Sequence, residues 1–358
     1  MYSLKISNYI IRSSFVLWNI VLCFFIGFDS LYIGLIFFLF ILPWEVRVPF
    51  EKDLSLQILM YTIILLTIFN LVNVPNLLSN NFLFNPNAVE NIVQNANDNV
   101  GKGRSFGELL TSFFIIVPFI LIDNLKKFKG ALKVFVLINC AIFLTAIIGI
   151  SRGMFSLVVL SISLPFIKNL KYFIIILVVF FYLYVQLSIL RDGVVDNVYT
   201  PVLESFSMPG YLGGQLFQAQ LEMNSLDYIK QIFLKIFPSF IFEKNIFSFN
   251  IEMTKTIYPH MGEEVSAISV FTYVSELLIY KPIILTILFS ILVLRILLSR
   301  ILFIIQSYKL HSTILFISFY FLIVLRSRIP DLISVLLMNL IFLEIFHFLN
   351  RIILASRK

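Results

Sequence analysis

Four arginines at the ends of apolar runs are the side chains here best equipped for chemistry: Arg152 in SRG, Arg191 in RDG, and Arg326 and Arg328 in RSRIPD. A guanidinium is a planar fork of donors that stays charged and meets phosphate oxygens two at a time. A ring of such forks at one membrane face suits a lipid-linked diphosphate. The plainer use of the same residues is structural, with the side chains snorkelling to headgroups or pairing with Asp192 and Asp331.

A second group supplies acid–base chemistry. His260 is followed closely by Glu263 and Glu264, and a histidine held beside a carboxylate can take the proton from a sugar hydroxyl, the general-base task in glycosyl transfer. An ordinary loop histidine is the competing account. Tyr273 and Glu276 stand three apart on a predicted helix and face the same way, which makes them candidates for contacting an acceptor sugar; an ordinary helix face explains Tyr273 as well. The stretch GKGRS, residues 101–105, lacks the spacing of a nucleotide-binding loop and follows no buried strand. It is predicted to be a turn, with Arg104 as an additional anion contact. SMPGYLGGQLFQAQ, residues 207–220, combines aromatic rings and amides suited to a sugar, or forms a turn before an amphipathic helix. Glu344 and His347, three apart in the last apolar run, are predicted to pair with each other in a structural role. No cluster has metal spacing, and neither a nucleophile elbow nor a dinucleotide fingerprint occurs. Neither metal nor cofactor is expected.

These residues are carried by a chain of 358 residues that is 59% hydrophobic and 13% charged, with a mean hydropathy of +0.97. A soluble domain holds about a quarter charged residues. Forty phenylalanines lie among long Ile- and Leu-rich runs, too continuous for barrel strands, which alternate over about ten residues. Backbone polar groups in lipid must be satisfied internally, so an all-α polytopic transmembrane bundle follows. The net charge of +7 is spread singly or in small groups between apolar runs, the pattern of topology determinants rather than of nucleic-acid binding. Cys23 and Cys140 fall inside apolar runs and are expected to be buried and unbridged. Lys5 and Arg12 precede an apolar run with no cleavage site, which is expected to be a retained first span.

In chain order the runs predict about ten spans with both termini in the cytoplasm. The stretch 8–46 forms two spans with a turn at Asp29 and Ser30. Further spans cover 54–74, 106–123, 131–150, the segment after SRG, and 172–190. The Asn-rich loop 75–105 is external, and the turns holding Lys126, Lys127, Lys129, Lys168 and Lys171 are cytoplasmic. Residues 191–280 form one large extracytoplasmic insert, closing with an amphipathic helix over 265–280 at the outer surface. Three more spans cover 282–298, 310–325 and 331–349. The domains are therefore 1–190, 191–280 and 281–358.

This arrangement, with an SRG turn, an RDG opening the insert and HMGEEVSAISVFTYVSELLIYKP closing it, resembles the O-antigen and capsule repeat-unit polymerases, relatives of the O-antigen ligases. The residues carrying the resemblance at the insert's end are Gly262, Ser266, Tyr273 and Glu276. The glycine usual after that helix is replaced by Tyr280, Lys281 and Pro282. The resemblance implies a GT-C-like bundle in the bacterial cytoplasmic (inner) membrane that transfers a growing glycan between undecaprenyl diphosphate carriers, without metal, at the outer face. It implies undecaprenyl-diphosphate-linked oligosaccharide as donor and acceptor, and a chain-length regulator and a flippase as partners in the same pathway. Arg152, Arg191 and Arg326 would hold the diphosphate, and His260 or a neighbouring Glu would deprotonate the acceptor. A ligase of finished glycan shares this outline. A lipid-linked glycan transporter is the rival of another class, and predicts inverted repeats and polar groups at mid-membrane.

Overall fold

The computed structural model describes residues 2–42, 52–79, 106–148, 221–236, 273–324 and 328–356, with scattered positions among 81–87, 158–186, 211–219 and 253–256. The described residues are almost entirely helical. Among them, five helices are long and apolar enough to cross a membrane: Ser7–Ile26, Leu56–Pro75, Gly130–Ile147, Ile283–Ser307 and Ile329–Ala355. Phe28–Phe40 and His311–Phe321 are shorter apolar helices, and Leu109–Asp123 is a shorter apolar stretch. A helix of about 20 residues rises about 30 Å, the thickness of the hydrocarbon layer.

The chain opens with a hairpin of α1 (Tyr2–Ile26) and α2 (Phe28–Phe40). The turn falls at Gly27 rather than at Asp29 and Ser30. Its φ of 94° lies in the left-handed region that residues with a Cβ rarely enter, and Ser30 Oγ donates to the Gly27 carbonyl at 2.9 Å. Phe15 and Phe37 stack across the pair with centroids 4.8 Å apart. At its far end α2 is held by Arg12 of α1, which is fully buried and donates to the carbonyls of Phe38, Leu39 and Leu42.

α3 (Leu56–Ser79) packs on α6 (Gly130–Ile148) through asparagines. Asn70 Nδ2 donates to the Asn139 carbonyl at 3.0 Å, and Asn81 Nδ2 to the carbonyls of Thr145 and Ala146 at 3.0 Å each. The single span expected over 106–123 is two helices, α4 (Phe106–Phe114) and α5 (Val117–Asp123). Pro118 explains the break: with no N–H it fits the first turn of a helix and not its interior. A 3-10 turn, Leu125–Lys127, leads into α6.

α9 (Ile283–Ser307), α10 (His311–Val324) and α11 (Ile329–Ala355) complete the bundle. Asp123, ending α5, caps α10, accepting from the backbone N–H groups of Ser312 at 2.8 Å and Thr313 at 3.1 Å. One end of the bundle is thus tied together by polar contacts. Lys52 N donates to Ser307 O at 2.8 Å, Lys127 Nζ to Leu54 O at 2.7 Å, and Asn350 Nδ2 to Asp53 O at 3.1 Å.

The described residues of the region 191–280 include the helices α7 (Ser225–Ile236) and α8 (Tyr273–Ile279). A two-residue parallel pairing of β1 (Met223–Asn224) with β2 (Tyr280–Lys281) joins them. Both helices pack on α9, and α7 also packs on α11. The amphipathic helix expected on the outer surface is, in its described part, an internal element. Of the seven residues of α8, Tyr273, Val274, Ser275, Glu276, Leu277 and Ile279 are buried.

Candidate functional site

Where α8 meets the start of α11, the bundle encloses a charged cluster. Arg328, just before α11, donates through Nε to Glu276 Oε1 at 2.9 Å, and through Nη2 to the same oxygen at 2.5 Å and to Gln231 Oε1 at 2.6 Å. Gln231 Nε2 donates in turn to the Tyr280 hydroxyl at 2.8 Å. The Tyr228 ring lies 5.2 Å from that of Tyr280, and the Tyr228 hydroxyl shares a hydrogen bond with Ser290 Oγ of α9 at 2.7 Å. Glu276 is 0% exposed and Arg328 4%.

Local sequence explains the geometry. In α7, Tyr228 and Gln231 are three apart and lie on one helix face, buried, while Leu226, Asp227 and Lys230 face out. Pro330 in the first turn of α11 places Arg328 at the cap with extended backbone, which turns its side chain back toward α8. The β1–β2 pairing sets the register between α7 and α8 and brings Gln231 beside Tyr280.

The electrostatics favour the charged form of Arg328. Burial works against the Arg328 charge, but Glu276 and Asp331 outweigh it and hold its pKa above the usual arginine value. Burial, then the Glu276 carboxylate, pushes the Tyr228 and Tyr280 hydroxyls up, so both stay protonated. The cluster offers neutral hydroxyls around a closed ion pair.

Tyr273 and Glu276 are both buried and meet different partners. The Tyr273 ring packs edge-on against Phe15 at 5.6 Å and Phe37 at 5.8 Å, and its hydroxyl accepts from Asn19 Nδ2. Tyr273 thus anchors α8 to the first hairpin. Arg328, expected as a diphosphate ligand, has its fork committed to Glu276 and Gln231, which gives it a positioning role in this arrangement. The other expected site residues, His260, Glu263, Glu264, Arg104, Arg152, Arg191 and Arg326, lie outside the described residues. The pair expected between Glu344 and His347 is replaced by two others: Glu344 binds Arg300, and His347 Nδ1 meets the Tyr308 hydroxyl at 2.6 Å. Among the described residues, no group of His, Cys, Asp and Glu is placed to hold a metal.

Gln231, Tyr228, Tyr280 and Asn19 were not among the expected site residues. Two signals could have found three of them: the spacing of Tyr228 and Gln231 on an amphipathic segment, and the isolation of Asn19 within an apolar run.

Gly213 and Gly214, within 207–220, serve close packing. A Cβ on Gly213 would collide with Ser275 Oγ, and one on Gly214 would lie 2.8 Å from the Phe25 carbonyl oxygen. Gly214→Val is therefore expected to destabilise the protein by about 1–3 kcal/mol by overpacking, read as a lowered unfolding midpoint in detergent. An unchanged midpoint would sink the close approach. Compared with models of known families, with characterised proteins and with solved structures, the chain finds no match.

Proposed function

We propose that this chain is a membrane glycosyltransferase that polymerises undecaprenyl-diphosphate-linked oligosaccharide repeat units into O-antigen or capsular polysaccharide. It works at the outer face of a bacterial cytoplasmic membrane, with about ten spans, both termini inside and the insert 191–280 outside. The observation that carries this reading is the meeting of Glu276 and Arg328, from segments 52 residues apart, where the region 191–280 rejoins the bundle. A transferase acting on a lipid-linked donor needs its polar insert held rigidly against the helices that take the polyprenyl tail, and a buried ion pair backed by Gln231 and Tyr280 does that. The end of the bundle opposite the cluster carries Lys52, Lys126, Lys127, Lys129, Lys133 and Arg351, which supports the orientation by the positive-inside rule.

In this reading Arg152, Arg191 and Arg326 hold the donor diphosphate, with Arg104 as a further anion contact. His260, Glu263 or Glu264 takes the acceptor proton. Arg328, Glu276 and Tyr273 position the segment that carries the base.

The test is the size distribution of surface polysaccharide from cells with and without the gene, with lipid-linked glycan extracted in parallel. Deletion is expected to collapse a ladder to a single attached repeat unit. Long polymer persisting on the carrier with none on the final acceptor would make the chain a ligase, and an unchanged ladder would remove the transferase reading.

A further inference from the structure

The end of the bundle away from the Glu276–Arg328 cluster carries a second polar constellation that the proposed reaction does not use. On α9 the exposed side chains Leu288, Leu292 and Ile296 are four apart, one lipid-facing stripe. Arg300, 45% exposed, continues that stripe by one more turn. On the neighbouring α11, Ile341, Ile345 and Phe348 are exposed, and Glu344 among them binds Arg300 through Nε and Nη2. The two apolar stripes therefore converge on this ion pair.

Further cations gather beside it. The backbone N–H of Lys52 donates to Ser307 O at the end of α9. Asn350 binds the Asp53 carbonyl and the Ser55 N–H, which lays the chain around Lys52 along the last turns of α11, where Arg351 is exposed. Burial, then the charges of Arg351 and Arg300, hold the Lys52 ammonium below the usual lysine pKa. Among the described residues neither Lys52 nor Arg351 has an acidic partner. Among the described residues, counting Glu344 and the exposed Asp53, cations remain in excess.

A buried histidine lies behind this group. His347 lies on one face of α11 with Glu344 and Arg351, is 3% exposed, and its Nε2 has no hydrogen-bond partner. Its Nδ1 meets the Tyr308 hydroxyl at 2.6 Å, and that hydroxyl accepts from Asn350 Nδ2 at 3.4 Å. With Tyr308 donating to Nδ1, the ring proton sits on Nε2.

We propose that Lys52, Arg300 and Arg351, with the buried His347 behind them, hold the phosphate headgroup of an acidic phospholipid whose acyl chains lie along the exposed stripes of α9 and α11. Charge complementarity selects the headgroup, and the apolar stripes ending at Arg300 select a lipid over a free anion. The site is independent of the transferase reading.

The test uses the full chain purified in detergent, with native mass spectrometry after addition of phosphatidylglycerol, cardiolipin or phosphatidylcholine, and separately of inorganic phosphate. The acidic lipids are expected to bind and phosphatidylcholine not. The pair Lys52→Gln with Arg351→Gln should lower acidic-lipid binding about tenfold or more. The pair Lys129→Gln with Lys133→Gln, which removes equal charge from exposed lysines at the same end, should leave it unchanged. Equal loss in both pairs would reduce the effect to diffuse surface charge, and displacement of lipid by inorganic phosphate would make this a free-anion site; either overturns the proposal.

Discussion

Glu276→Ala is expected to cost about 3–5 kcal/mol of stability, because it leaves the Arg328 guanidinium buried without its counter-charge. Glu276 is 0% exposed and Arg328 4%, so water does not replace the lost carboxylate. Gln231, the other partner of Nη2, supplies an amide oxygen, which offsets part of a charge-assisted hydrogen bond and not the charge. Glu276→Gln keeps the shape and should fall between wild type and Glu276→Ala. The double change Glu276→Leu with Arg328→Met removes both charges and should recover most of the loss, since apolar replacements of buried pairs are often neutral. The unfolding midpoint in detergent reads all four proteins, and a loss below about 1 kcal/mol for Glu276→Ala would show that the pair is not desolvated. The recovered double variant then separates two uses of Arg328. If it only positions the segment, polysaccharide ladders should return with stability; a folded double variant that makes no polymer would mean that the charge itself meets substrate.

Membrane class and helix positions were legible in the sequence because both follow from apolar run length, which sets whether a segment can satisfy its backbone inside lipid. Expected spans over 54–74 and 131–150 correspond to Leu56–Ser79 and Gly130–Ile148. Breaks were less legible. The first hairpin turns at Gly27, where the backbone needs positive φ, while Asp29 and Ser30 had drawn attention only by being polar. The interruption before Pro118 hides in a run that is apolar throughout. Pairings were hardest. Glu344 and His347 are close in sequence, yet each finds its partner on another stretch, Arg300 and Tyr308, because helix packing and not sequence spacing decides which long side chains meet. The burial of α8 was missed for a related reason. Glu276 made the segment look amphipathic, and its neutralising partner stands 52 residues away in Arg328.

Arg12 shows the same limit and yields a test of comparable size. In the sequence it is a basic residue before an apolar run, the ordinary mark of a cytoplasmic helix end. In the fold it is 0% exposed and its guanidinium meets three carbonyls, those of Phe38, Leu39 and Leu42, at the end of α2. The last four carbonyls of a helix have no intrahelical donor, and a buried helix end without partners is costly. Hydrogen bonds to a charged group contribute about 1.5–3 kcal/mol each when measured by deletion, and less when several share one group. Arg12→Met keeps the stem's bulk and removes the fork, so a loss of about 3 kcal/mol is expected. Arg295 also reaches this helix end, donating to Phe40 O at 3.4 Å, but it does not contact the three carbonyls that Arg12 caps. The decisive comparison is Arg12→Lys. A topology determinant needs only positive charge, so lysine would serve as well as arginine. A cap spanning three carbonyls needs the fork, and a single ammonium on a flexible stem should restore less than half of the stability lost by Arg12→Met. The unfolding midpoint measures the stability, and protease sensitivity of the first hairpin shows where it is lost. Wild-type stability in Arg12→Lys would return Arg12 to the role its place in the sequence suggests.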